Sequence, residues 1–114
     1  MNRGEVWLVN LNPTIDREIG KTRPAVIVNN DAVGILPLKV IVPVTDWKER
    51  YANRPWMIKL EANNSNGLIK QSAADTFQVR SLSRNRLMKK LGQLNDSKMK
   101  EITAALAIVL KINN

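Results

Sequence analysis

Short apolar runs separated by turn-forming residues fill the first half of the chain. EVWLVNL (5–11), PAVIVNN (24–30) and KVIVPVT (39–45) are each rich in Val or Ile and are bounded by turn formers. PWMIKL (55–60) alternates large apolar residues with others, and the turn sequence NNSNG (63–67) follows it. These patterns predict four β-strands and a tight turn.

The second half is less regular until a helical pattern begins near its end. Between Gly67 and Leu94, the segments SAAD, QVRSL and RLMKKLGQL have strand character, although QVRSL also fits a helical turn. Asn95 or Asp96 can then cap a helix. Apolar residues recur beyond them at helical spacing: Met99, Ile102, Leu106 and Val109 or Leu110. The pattern predicts mostly strand followed by a C-terminal amphipathic helix.

Many short strands before one helix are typical of a small, twisted, mostly antiparallel sheet or barrel with the helix packed on it. We expect a single domain over residues 1–114, because a chain of this length is too short to form two well-buried cores. The long polar loops, 12–22 and 46–54, follow the first and third predicted strands. Loops of this kind on a small barrel commonly carry the function.

The composition excludes several kinds of chemistry. The chain has no cysteine and no histidine, which excludes disulfides, thiolate metal sites and imidazole acid–base catalysis. Its few carboxylates are scattered singly, so a two-metal nuclease is not expected. There is no Walker A motif, dinucleotide-binding glycine motif or nucleophile elbow. We therefore expect a protein that uses neither a metal nor a cofactor.

The charge balance points to a polyanionic partner. Lys and Arg number 18 against 10 Asp and Glu, a formal net charge of +8 that attracts nucleic acid. A generic basic surface is the alternative interpretation. No apolar run approaches the ~20 residues that span a bilayer, and MNRGEVWLVN lacks the apolar stretch of a signal peptide. We expect a soluble cytoplasmic protein without membrane association.

The first candidate site is the polar loop NPTIDREIGKTRP. Its cations Arg17, Lys21 and Arg23, together with backbone N–H groups, can cradle a phosphate. Pro24 biases Arg23 towards extended backbone, and the apolar strand that follows fixes its base. The guanidinium of Arg23 can then clamp a phosphate through two hydrogen bonds. The alternative is an ordinary surface arginine.

The second candidate site is the segment VIVPVTD. Pro43 restricts ladder pairing to an edge or a strand end, and Thr45 lies where the chain leaves the sheet. The Thr45 hydroxyl can donate to a phosphate oxygen, although Thr45 and Asp46 can equally make a turn or capping hydrogen bond.

The three tryptophans divide between core and loop. Trp7 and Trp56 lie in predicted strands and are expected in the core. Trp47 lies beside Lys48 in the second polar loop. We expect both loop residues to contact nucleic acid, Trp47 by stacking on a base.

The third candidate site is a basic stretch, QVRSLSRNRLMKK. It carries five cations, Arg80, Arg84, Arg86, Lys89 and Lys90. The stretch is interpreted as a stripe that contacts RNA. A solvated basic face is the alternative, since Phe77 is the only aromatic residue close by and stacking platforms normally interleave with cations.

These segments resemble the MazF/PemK/Kid toxin family over the whole chain. The resemblance lies in RGEVWLVNLNPTIDREIGKTRPAVIVNND, IVPVT and GLIKQSAADTFQVRSL with SRNRL. The specific part is the RG-[DE]-[VI]-[WY] start followed by G-x-x-RP-x-x-[VI]. The resemblance implies a Kid/PemK-like barrel, related to the CcdB gyrase poisons and distantly SH3-like, that forms a twofold dimer with an RNA groove across the interface. It also implies a cognate antitoxin with an acidic tail, and binding to operator DNA only in complex with that antitoxin.

The resemblance also assigns roles to residues. The family's catalytic arginine in G-x-x-RP corresponds to Arg23, and its Ser or Thr at the end of the third strand corresponds to Thr45. Gln78 begins the family's Q-[VIL]-[RK] motif and is expected to contact RNA. Many relatives carry an acidic residue just before this Gln, where this chain has Phe77. The nearest acid is Asp75, whose part in catalysis is left open.

The activity that the resemblance implies is that of a type II toxin. Such a toxin is a sequence-selective, metal-independent endoribonuclease that cuts single-stranded mRNA and inhibits translation and growth. The ribose 2′-OH attacks the adjacent phosphorus, which leaves a 2′,3′-cyclic phosphate and a 5′-OH.

Two other functions compete with the nuclease. A CcdB-like toxin that binds a protein target such as gyrase would act through C-terminal residues, whereas LAIVLKINN has the pattern of a packed helix. A noncatalytic RNA-binding barrel would be expected to have more than 4% aromatic residues. The pairing of Arg23 with Thr45 favours the nuclease.

Overall fold

The computed structural model describes residues 1–34 and 37–113, and within them β-strands precede one α-helix. The strands are β1 (Glu5–Asn10), β2 (Thr22–Ile27), β3 (Leu38–Asp46), β4 (Met57–Leu60), β5 (Ser72–Asp75), β6 (Arg80–Ser83) and β7 (Leu87–Gln93). Short 3₁₀ helices occupy Glu49–Asn53, Thr76–Gln78 and Arg84–Arg86, and helix α1 spans Asp96–Leu110. In the described part of the chain, no helix has the length and apolar character needed to cross a membrane.

The four strands predicted in the first half are present with shifted ends. β2 begins earlier than predicted, because Thr22 and Arg23 still pair with Asn10 and Val9 of β1. The three ambiguous segments of the second half contribute strands β5, β6 and β7. The helical-turn alternative holds only for Gln78, which ends a 3₁₀ helix.

The strands form one curled antiparallel sheet in the order β4-β5-β3-β2-β1-β7, with β6 also paired to β3. β3 belongs to three ladders. Its first part pairs with β6 and β2, and from Val44 onward it pairs with β5. A strand that bends from one set of partners to another is how a small sheet turns a corner. The mostly β fold with a C-terminal helix is confirmed.

The predicted turn at 63–67, which follows β4 at one end of the strand order, packs against β7 at the other end. Gly67 has a φ of +70°, and a Cβ atom there would lie 2.0 Å from the carbonyl oxygen of Leu91. A Cβ atom on Gly92 would lie 2.3 Å from the carbonyl oxygen of Ser65. The amide of Gln93 donates to that same oxygen at 2.8 Å. Only glycine allows the two backbones to approach this closely.

Two buried clusters fill opposite faces of the central strands. The first contains Val6, Val26, Val42, Leu60, Met99 and Ile102, so α1 packs on this face. The second contains Val9, Leu11, Ile27, Ile41 and Leu82. Helix α1 begins as predicted, with the Asn95 side chain accepting from the amide of Lys98 at 2.8 Å. Near its end, Val109 is half-buried and Leu110 is 56% exposed, so Val109 continues the apolar face.

Neither Trp7 nor Trp56 is fully buried, contrary to the prediction. Trp7 lies at the edge of the second cluster, and its indole N–H donates to Glu5 Oε1 at 2.9 Å. Trp56 packs with Tyr51, and Trp47 also joins that small cluster. A large ring with a polar edge fits the margin of a core better than its centre.

Glu5 is a buried acid surrounded by donors and cations. Its carboxylate accepts from Trp7 and lies 3.5 Å from the N-terminal amine of Met1 and 3.4 Å from Nζ of Lys90. Burial alone raises the pKa of Glu5. The hydrogen bonds with Trp7 and with the backbone of Asn2, together with the two cations, outweigh burial and lower the pKa to about 2.

We predict that this carboxylate makes the folded state sensitive to acid. Because the pKa of Glu5 is lower in the folded protein than in the unfolded chain, its contribution is complete above the unfolded value and is lost as the pH falls through the folded value. From about pH 6 to about pH 2, the free energy of unfolding of the wild type should fall about 3 kcal/mol further than that of Glu5→Gln. Urea unfolding of both proteins across this range measures the difference. Parallel pH curves would show that Glu5 does not contribute in this way.

Candidate active site

A pocket opens where β2 and β3 part. The β2–β3 ladder ends at the pair Ala25–Pro43, and from Val44 onward β3 pairs with β5. Pro24 and Pro43 lie at this level, and because successive residues of a strand face opposite edges, one of the two faces the β2–β3 ladder without an N–H to donate. The gap is a cavity of about 310 Å³. Its apolar walls include Leu8, Pro24, Val44, Leu68, Ile69 and Leu91.

Arg23 and Thr45 lie on the two strands that border this pocket. Continuing the β2–β3 register by two residues places them opposite each other, and both line the cavity. Arg23 is held from its outer side by pairing with Val9 of β1, and Thr45 by pairing with Ala73 of β5. Both are partly exposed. The pocket therefore offers a guanidinium and a hydroxyl to one bound group.

An ion pair lies beside Arg23 and Thr45. Nζ of Lys70 is 3.0 Å from Oδ1 of Asp46, and both residues line the same pocket. The hydrogen bond with Lys70 has the largest effect on the pKa of Asp46. It lowers that pKa together with the charges of Lys70, Arg23 and Lys48, against the effect of burial. Asp46 is therefore ionised at neutral pH.

Sequence reasoning gave neither member of this ion pair a functional role. Asp46 was interpreted as a turn residue, and Lys70 was only one letter of the GLIKQS segment. For Lys70, the signal that could have indicated a role was its position inside the family-like segment GLIKQS. For Asp46, the signal was its position directly after Thr45.

Gln78 and Arg80, both predicted to contact RNA, hold the β1–β2 loop, residues 11–21. Oε1 of Gln78 accepts from the amide of Ile19 at 2.6 Å, and Nε2 of Gln78 lies 3.4 Å from the carbonyl oxygen of Arg17. Nη1 of Arg80 donates to the carbonyl of Leu11 at 3.2 Å. These side chains fix the loop backbone, and their contact with RNA stays a prediction.

Arg86 holds the entrance of the same loop. Its Nη1 donates to the carbonyl of Asn10 at 3.3 Å and to the carbonyl of Asn12. Arg84, two residues earlier, is exposed to solvent. The basic stretch is therefore not a uniform solvated face, because part of it is used to order a loop.

The other predicted RNA contacts are distributed over the surface. Arg17, Lys21 and Lys48 are exposed. Trp47 is half-buried, with Nζ of Lys59 at 5.1 Å from its ring centre. A second cavity of about 650 Å³ lies under the β1–β2 loop and is lined by residues that include Arg17, Gln78 and Arg80. The structure thus brings Arg23 together with Thr45, and separately Arg17 with Gln78 and Arg80.

Asp75, the acid whose role was left open, lies outside the pocket of Arg23 and Thr45. Only 6% of it is exposed, and burial raises its pKa against the hydrogen bonds from Phe77 and Gln78. Among residues 1–34 and 37–113, no three carboxylates lie close enough together to hold a metal ion.

The fold and the pocket together define a small curled β-sheet protein with a C-terminal helix and a cationic site between two strands. Residues 2–110 match the family described as PemK-like, MazF-like toxin of type II toxin-antitoxin system. The chain therefore belongs to this toxin family, and the resemblance inferred from its motifs is confirmed.

Relatives and solved structures agree with this assignment. The chain is 36% identical over 113 residues to Endoribonuclease MazF of Staphylococcus saprophyticus, which covers 99% of this chain and 93% of the relative. A crystal structure of MazF from Deinococcus radiodurans matches with a TM-score of 0.82 at 24% identity, over 98% of this chain and 97% of that one. An endoribonuclease in complex with its cognate antitoxin, from a mycobacterial species, matches with a TM-score of 0.77 at 21% identity, over 100% and 98%. These structures establish the fold.

We predict that Arg86 and Arg84 differ in their effect on stability. Arg86→Met removes the donor to the carbonyls of Asn10 and Asn12 and should lower the free energy of unfolding by about 1 kcal/mol. Arg84→Met removes the same charge from an exposed position and should change it by less than about 0.5 kcal/mol. Urea unfolding of both variants at one ionic strength makes the comparison. Equal losses in the two variants would mean that net charge, and not the loop contact, explains the effect.

Proposed function

We propose that this MazF-like endoribonuclease toxin cuts single-stranded mRNA in the pocket between β2 and β3, and thereby inhibits translation and growth. One observation carries the proposal. In a chain of the toxin family, Arg23 and Thr45, which were chosen from the sequence as the catalytic pair, line the same pocket. The name of the relative from Staphylococcus saprophyticus, an endoribonuclease, supports RNA as the substrate.

In the proposed reaction, the ribose 2′-OH attacks the adjacent phosphorus and the bond from phosphorus to the 5′ oxygen breaks. The 2′ oxygen loses its proton and the leaving 5′ oxygen gains one, which gives a 2′,3′-cyclic phosphate and a 5′-OH. Arg23 clamps the nonbridging oxygens, stabilises the charge of the pentacovalent state and takes part in the proton transfer. Thr45 donates its hydroxyl to a phosphate oxygen. The cations of the pocket supply the electrostatic stabilisation, so we propose that no metal or cofactor is needed.

We further propose that the protein acts in the cytoplasm as a homodimer and is neutralised by a cognate acidic antitoxin. The formal charge of +8 favours an acidic partner. The mycobacterial structure, an endoribonuclease with its cognate antitoxin, provides a precedent in the same fold. Operator DNA is proposed to be bound only by the complex with the antitoxin.

The metal-free mechanism predicts that cleavage survives chelation. Purified protein is incubated with a long RNA in EDTA, and the 5′ ends and the 3′-terminal phosphates of the products are mapped. We expect discrete cuts with 5′-OH and 2′,3′-cyclic phosphate ends, at a rate within about twofold of that with magnesium. The Arg23→Ala protein, purified identically, controls for contaminating nucleases. Cleavage that stops in EDTA and returns with magnesium would overturn the mechanism.

A second prediction separates chemistry from charge at Arg23. Arg23→Lys keeps the positive charge but replaces a planar five-donor fork with a compact ammonium that cannot clamp a phosphate in the same way. Single-turnover cleavage should fall by roughly 100-fold, about 3 kcal/mol of transition-state stabilisation, while RNA affinity and melting temperature stay close to those of the wild type.

The matched control for this substitution is Arg50→Lys, which makes the same exchange at an exposed position in the 3₁₀ helix Glu49–Asn53. It should cleave normally. Full activity in the Arg23→Lys protein would mean that the catalytic arginine lies elsewhere.

A further inference from the structure

The β1–β2 loop, residues 11–21, is fixed at its neck, where it leaves and re-enters the sheet, and again in its second half. At the neck, the amide of Leu11 donates to the carbonyl of Lys21 at 2.9 Å, and the amide of Lys21 donates to Oδ1 of Asn12 at 2.8 Å. The second half of the loop is held through Ile19 by the side chain of Gln78, which lies 59 residues further along the chain. Residues 15–19 of the loop, Arg17 among them, line the second cavity. The loop leads directly into β2.

The Gln78 carboxamide is oriented by three partners. Its Oε1 accepts from the Ile19 amide at 2.6 Å. Its Nε2 donates to Oδ2 of Asp75 at 3.2 Å and lies 3.4 Å from the carbonyl oxygen of Arg17. A carboxamide has one accepting end and one donating end, whereas a carboxylate only accepts. Asp75 and the Arg17 carbonyl therefore both favour the orientation in which Gln78 presents its oxygen to the Ile19 amide. The reverse orientation would set two donors, Nε2 and the Ile19 N–H, against each other.

Asp75 is itself held rigidly. It is the last residue of β5, where it pairs with Met57 of β4. Its Oδ1 accepts from the amide of Phe77 at 3.1 Å and so caps the 3₁₀ helix that contains Gln78. Asp75 is buried and lies outside the pocket of Arg23 and Thr45, and its carboxylate contacts Phe77 and Gln78.

We propose that Asp75 and Gln78 form a latch that positions the β1–β2 loop for RNA binding. That the latch orders the loop is inferred from the hydrogen bonds. That it serves RNA binding rests on the proposed function. The loop positions Arg17, which lines the second cavity together with Arg80. Arg23, in contrast, is held by its pairing with β1 whether or not the latch is closed. Opening the latch should therefore weaken RNA binding more than it slows the chemical step.

The latch can be tested by exchanging its two polar groups. In Asp75→Asn, the side-chain oxygen can still cap Phe77, but its NH₂ group then faces Nε2 of Gln78 and turns the carboxamide away from Ile19. In Gln78→Glu, two carboxylates face each other. In the double variant, the NH₂ group of residue 75 donates to the new carboxylate, whose other oxygen again accepts from the Ile19 amide, and only the long contact with the Arg17 carbonyl is lost. Gln71→Glu is the matched control, because Gln71 makes an exposed contact with Glu61 elsewhere.

Amide hydrogen exchange, followed by NMR on the full chain, measures how well each backbone amide of the loop is protected. Exchange at Ile19 should be at least 10-fold faster in each single variant than in the wild type and should return to within about threefold in the double variant. The Leu11 amide at the neck should remain protected throughout. An Ile19 amide that is unprotected in the wild type, or a double variant no better than the single ones, would overturn the latch.

RNA measurements then test whether the latch serves binding. With a single-stranded RNA oligonucleotide that the wild type cuts, the Kd should rise about 5- to 10-fold in each single variant and recover in the double variant. Cleavage at saturating protein should change less than about threefold. An unchanged Kd with altered Ile19 exchange would refute the binding role. If the wild type cuts no RNA while the exchange pattern holds, the proposed function fails and the loop latch stands.

Discussion

The antiparallel register of β2 against β3 is the constraint on which the pocket depends. Val26 lies opposite Val42 and belongs with it to one buried cluster, while the Ile27–Ile41 pair belongs to the other. A slip of one residue would turn buried valines and isoleucines to the wrong faces, so the core fixes the register strongly. The same register sets Arg23 level with Thr45. The hydrophobic core therefore determines the placement of two polar groups that are not part of it.

The pocket exists because β3 changes partners at the level of two prolines. A continuous ladder would have filled the space with backbone hydrogen bonds, whereas here the β2–β3 pairing ends at Pro43 and β3 continues in its pairing with β5. The β1–β2 loop beside the pocket is ordered in a similar way, by side chains from the second half of the chain. Arg80 and Arg86 donate to the loop carbonyls of Leu11 and Asn12. Part of the basic character of the chain is thus structural, and the formal charge overstates what is free to meet RNA.

Local patterns predicted most of the fold, because β-branched runs, turn residues and a capped 3.6-residue period are properties of neighbouring residues. The G-x-x-RP motif likewise indicated Arg23 from its own surroundings, and the structure brings it to the pocket of Thr45. Contacts between distant segments were not predictable in this way. The bond between Gln78 and Ile19 joins residues 59 positions apart. The approach of Lys70 to Asp46 depends on how the segment after the predicted turn packs beside β3.

The electrostatics of the pocket favour exchange of one anion for another. Lys70 and Asp46 have side chains 60% and 47% exposed, and exposed ion pairs of this kind typically contribute about 1 kcal/mol or less. In the proposed reaction, the phosphate therefore takes the place of the Asp46 carboxylate beside Lys70 at little cost. The backbones of Arg23 and Thr45, in contrast, are held by strand pairing on their outer sides. The proposed phosphate site therefore combines a weakly held anion, which the phosphate displaces, with a guanidinium and a hydroxyl whose backbones are already fixed.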